Sequence, residues 1–110
     1  MNIGELKEMI WSIIDVHIGG IPVTEKIYID ISNNYLQEDE LGFCETTDDF
    51  KSAFITFNEL ELNCMDDSEQ IDVICHEIAH LICEDKEEFE EHDQLWQNVV
   101  VALGGMPNYY

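Results

Sequence analysis

The pentapeptide His76-Glu77-Ile78-Ala79-His80 constrains this chain more than any other feature. On a helix, residues four apart share a face and sit about 6 Å apart along the axis, at ~1.5 Å per residue. Both imidazoles then point the same way, and one zinc ion at about 2.0–2.1 Å from each nitrogen can engage both. Glu77 follows the first histidine and projects near the metal without binding it. A carboxylate there can take a proton from water and pass it to a leaving amine, with zinc bringing the pKa of that water to about 7. The flanks suit a buried helix, with apolar residues at 71, 73, 74, 78, 81 and 82. The spacing predicts a helix starting near Asp67, with Asp67 and Gln70 as a reciprocal cap and Ile71, Ile74, Cys75, Ile78 and Ile82 as its core stripe.

A catalytic zinc usually keeps three protein ligands and one open position. His92, at the foot of the last helix, is the first candidate for the third. The competing ligands are acidic: Glu84, Asp85, Glu87, Glu88, Glu90, Glu91 and Asp93. A carboxylate from this group would give a two-histidine, one-glutamate site. His17 lies on the apolar stripe of the first helix and reads as a core or boundary residue.

The rest of the chain supplies a frame for that helix. Residues 4–18 read as a helix, with Leu6, Ile10, Ile13, Ile14 and His17 on one stripe. Gly19, Gly20 and Pro22 end it. Residues 26–32 alternate as a half-buried strand, with Ile27, Ile29 and Ile31 on one side and Tyr28 and Asp30 on the other. Residues 33–40 read as a polar loop, 41–46 as a second strand, 47–49 as a turn and 53–57 as a third strand. Residues 58–66 read as a connection, and 84–91 as a loop or helical arm. A last helix covers about 93–103, with Leu95, Trp96, Val99 and Leu103 inward and Gly104 and Gly105 as its stop. This order predicts a single α+β domain over 1–110, its helices on one face of a small three-stranded antiparallel sheet.

Charge and cysteine usage narrow the functional classes. Twenty-five acidic residues stand against four basic ones, for a net charge of −21. Such a surface has almost no cations to displace counterions from a nucleic acid, so direct binding to DNA or RNA is not expected. It favours basic partners, including a basic protein or peptide substrate. Four cysteines, none spaced as CxxC, read as reduced core residues. No apolar run is long enough to span a membrane, and the first residues carry no signal-peptide pattern, which makes the cytosol the expected compartment.

Three segments together resemble the SprT-like metallopeptidases, the family that includes the Spartan proteases. Ile71–Ile82, IDVICHEIAHLI, is similar to the family's apolar-flanked HExxH helix. His92-Asp93-Gln94-Leu95-Trp96, followed by Leu103-Gly104-Gly105, is similar to its downstream H-G-x-x-F/W element. Phe54–Leu60, FITFNEL, is similar to the strand-then-leucine segment before the active-site helix, and Gly42-Phe43-Cys44 to the strand before that. The likeness spans roughly residues 41–105. It implies a minimal zincin-like fold, zinc held by His76, His80 and His92, Glu77 as general base, and hydrolysis of protein or peptide substrates. Asp93 stands where the family has glycine. The family's basic DNA-binding surface has no counterpart here, so its DNA role is not carried over.

On this reading an extended peptide lies beside an edge strand at 53–57, and Tyr28, Tyr35, Tyr109 and Tyr110 are candidate donors to the tetrahedral oxyanion. Two other classes remain open. One is an acidic, DNA-mimicking or inhibitory interaction protein with a structural or vestigial zinc site. The other is a metal-binding scaffold without hydrolysis.

Overall fold

The computed structural model describes residues 1–17, 21, 23, 25–32, 42–83 and 94–106. Helix α1 runs Ile3–Val16, and three strands follow: β1 Lys26–Ile31, β2 Gly42–Thr46 and β3 Ser52–Phe57. Helices α2 (Glu59–Asn63), α3 (Asp67–Cys83) and α4 (Gln94–Leu103) complete the order. The architecture is α+β, as the element order predicts.

The sheet departs from expectation in two linked ways. Its order is β1-β3-β2, with β1 parallel to β3 and β2 antiparallel to β3. The sheet is therefore mixed rather than antiparallel, and residues 53–57 form its centre, not an edge. Ile31 and Gly42 both pair with Phe57, so β1 and β2 flank the same end of β3. The β2–β3 hairpin reverses the chain, and the returning strand takes the place beside β1. Both ladders of β3 are occupied, which removes it as a template for an added strand. Among the described residues β1 and β2 are the outer strands.

Alternation assigns the sheet's faces as the sequence suggests. Ile31, Ala53, Ile55 and Phe57 turn inward and join Leu6, Ile10 and Ile14 of α1 and Val73, Ile74 and Ile78 of α3 in the main core. Ile27 and Ile29 are half-buried and pack against it. Helix α1 begins with a capping box, in which the Asn2 side chain accepts from the Glu5 amide and the Glu5 carboxylate accepts from the Asn2 amide. Such a reciprocal cap satisfies two of the donors a helix start leaves unpaired.

Residues 58–66 do more than connect. Asn58 caps α2 by accepting from the Glu61 amide at 3.2 Å. The cap of α3 is Asp66, one residue before the expected Asp67, with its Oδ1 accepting from the Glu69 amide at 2.8 Å. Gln70 is instead buried, and its Nε2 donates to the Leu62 carbonyl at 2.9 Å, tying α3 to α2.

Helix α4 closes on α3 through a second cluster: Cys75, Ala79, Cys83, Trp96 and Val100, with Val99 and Leu103 half-buried beside it. Leu95, expected inward, is 39% exposed. Trp96 and Val100, four residues apart, define the buried stripe and turn Leu95 outward. The helix ends with the Gly104 amide donating to the Val101 carbonyl and the Gly105 amide to the Val100 carbonyl. Gly104 takes φ 101°, the left-handed turn that this pair of bonds requires and that a side chain would oppose.

Candidate metal centre

Helix α3 is buried around almost its whole circumference from Val73 to Ala79, because the sheet and α1 cover one side and α4 another. That burial is what makes its polar side chains informative. His76 is 4% exposed and Glu77 is 7% exposed, while His80 is half-buried. A charged or hydrogen-bonding group withdrawn from water this far is costly unless the surroundings satisfy it.

The two imidazoles converge. Their Nε2 atoms lie 3.1 Å apart. Two nitrogens bound tetrahedrally at about 2.0–2.1 Å from one zinc would lie roughly 3.3 Å apart, so the pair already has the spacing of two ligands to a common ion. Glu77 Oε1 stands 3.9 Å from His76 Nε2, which places the carboxylate on the side where the nitrogens meet.

Two neighbours hold this arrangement. Trp96, fully buried, donates from its indole nitrogen to the His76 carbonyl at 3.3 Å. Its ring meets His76 edge-on at 4.8 Å between centroids and lies over His80 at 5.5 Å and 29°. One side chain from α4 thus fixes both imidazoles. The second neighbour is Gly42, at the start of β2. A Cβ there would stand 2.9 Å from Cγ, 3.1 Å from Oε1 and 3.2 Å from Cδ of Glu77. The strand approaches the carboxylate so closely that only glycine leaves it room.

Cys75 and Cys83 flank the motif but face the α3–α4 cluster, fully buried. Burial pushes the Cys75 thiol up to about 11, with the Asp72 charge adding to the effect. Its Sγ donates to the Leu103 carbonyl at 3.7 Å. Asp72 also accepts from the Met106 amide at 2.9 Å, tying the chain beyond α4 back to α3.

Not every residue singled out by sequence enters the centre. His17 caps α1, its amide shared between the Ile13 and Ile14 carbonyls. Tyr28 lies on the outer sheet face, stacked on Phe54, and β3 with the buried core lies between that face and α3. It is not an oxyanion donor to Glu77's site. His92, the acidic candidates at 84, 85, 87, 88, 90, 91 and 93, and Tyr35, Tyr109 and Tyr110 lie outside the described residues. Among the described residues no group of three or more His, Cys, Asp or Glu side chains is placed to hold a metal ion. The contacts of Gly42 and Trp96 were not read from the sequence. The signal for Trp96 was its position in the last helix; for Gly42 it was a glycine opening a strand.

The SprT-like family model matches residues 11–109. Neither a curated protein nor a solved structure matches the chain.

Proposed function

The chain belongs to the SprT-like family, and from that premise we propose that it is a zinc-dependent peptidase acting on protein or peptide substrates. The observation that carries the proposal is the convergence of the His76 and His80 Nε2 atoms to 3.1 Å beside a buried carboxylate. In this reading His76, His80 and His92 hold the ion. Zinc supplies Lewis acidity at such a site and makes water a competent nucleophile near neutral pH.

The chain's own residues do the remaining work. Glu77 accepts the proton of the attacking water on its carboxylate and returns it to the leaving amine. Gly42 keeps β2 close enough to confine that carboxylate to one position. Trp96 fixes the two imidazoles and, being fully buried behind them, keeps water from their backs. The substrate approaches beside β2, an outer strand among the described residues, whose first residue lies against the proposed base. None of the four cysteines forms a disulfide, in keeping with a cytosolic enzyme.

Glu77→Gln tests the assignment. The amide is nearly isosteric and cannot take the proton, so cleavage of a labelled protein substrate should fall by at least 100-fold with zinc content unchanged. Wild-type cleavage by this variant would dismiss Glu77 as the base.

A further inference from the structure

The outer face of the sheet is independent of the metal centre and carries its own pattern. Strand register sets its side chains in two rows. One row is Tyr28, Phe54 and Glu45, and the next is Asp30, Thr56 and Phe43, each read across β1, β3 and β2. Three aromatic rings therefore share a face that no described helix covers. Tyr28 and Phe54 are each 43% exposed and Phe43 is 50% exposed. Tyr28 and Phe54 stack at 4.9 Å and 7°, forming one flat platform. Glu45 and Asp30 stand beside the rings in the same rows, both exposed.

The geometry points to this face as a docking surface for a lysine- or arginine-rich segment of another protein. The platform already holds a cation: Lys26 Nζ lies 4.8 Å from the centroid of the Tyr28 ring. Cations are drawn to the negative face of an aromatic ring, and neighbouring carboxylates add to the attraction. Charge separates the possible occupants. A second copy of the chain would bring another −21, and a nucleic acid would bring its phosphates, so both are repelled. A cationic polypeptide satisfies the rings, Glu45, Asp30 and the net charge at once. The inference does not depend on hydrolysis or on zinc.

The test uses the full chain and a fluorescent 12-residue peptide of alternating arginine and glycine, read by anisotropy at physiological salt. Phe43→Thr with Phe54→Thr keeps β-branched residues on the strands and should weaken binding about tenfold, the loss of two exposed cation–π contacts. Glu8→Gln with Asp15→Asn removes two exposed acids from α1 and should change affinity by less than about twofold. Lys26→Ala removes the resident cation and should tighten binding more than Lys7→Ala, which makes the same charge change on α1. Thermal melts establish that each variant is folded. No binding at millimolar peptide overturns the inference. So does binding that follows net charge alone, unchanged in the sheet variant and weakened in the α1 variant. Dimerisation lost with Phe43 and Phe54, or oligonucleotide binding at this face, overturns it in favour of the other occupants.

Discussion

Gly42→Ala is the substitution that separates the roles of β2 and α3 most cleanly. The added methyl would lie 2.9 Å from Glu77 Cγ. Carbon atoms in contact prefer about 3.5–4.0 Å, so roughly 0.6 Å or more must be found. β2 cannot retreat easily, because Gly42 to Thr46 are laddered to β3. Glu77 cannot move outward easily either, because it is buried on a helix packed on several sides. The strain falls on the carboxylate. Overpacking of this kind costs about 1–3 kcal/mol. For a domain of this size each kcal/mol lowers the melting temperature by about 4–8 °C. The effect on turnover should be larger, since moving a catalytic group by about 1 Å can cost ~100-fold. Melting, zinc content and cleavage of a labelled protein should show a modest drop, no change and a large drop, in that order. A thermal double-mutant cycle with Glu77→Ala gives a readout free of catalysis: the penalty of Gly42→Ala should shrink by at least about 0.5 kcal/mol when the carboxylate is gone. Equal penalties in both backgrounds would refute the claim that the strand presses on Glu77.

Trp96→Phe removes the bond to the His76 carbonyl while keeping most of the ring volume. It should cost about 1–2 kcal/mol in a melt and weaken zinc binding about tenfold, measured against a chromophoric chelator; unchanged zinc affinity would dismiss Trp96 as a positioning residue. Iodoacetamide should label exposed Cys64 first in the folded protein and leave the fully buried Cys75 and Cys83 until unfolding, with mass spectrometry giving the order.

The sequence speaks most clearly where a short-range rule suffices. The four-residue spacing of His76 and His80 fixes a shared helical face, and alternation in β1 separates Ile31 from Tyr28 before any contact is known. Stripe positions Leu6, Ile10 and Ile14 follow from the same local logic. What it does not disclose depends on tertiary pairing. Only 26–32 alternates cleanly; the near-continuous apolar run at 53–57 suits a central strand, but five residues are too few to decide the strand order. The antiparallel sheet and the edge at 53–57 were errors of that kind. The shift of the α3 cap from Asp67 to Asp66 reflects two adjacent aspartates, either of which satisfies the pattern; what separates them is that Gln70 is drawn inward to the Leu62 carbonyl. The sequence places both Leu95 and Trp96 inward because they are equally apolar neighbours, and only packing on α3 selects Trp96. The approach of Gly42 to Glu77 joins residues far apart in the chain, where no spacing rule reaches.

Metal analysis of the purified chain, alongside His80→Ala and His92→Ala, bears most directly on the proposed centre. The account predicts about one zinc per wild-type chain and a marked loss in either variant, with a lower melting temperature on chelation of the wild type only. A chain that binds no zinc, or one that keeps it equally well without both imidazoles, would contradict it.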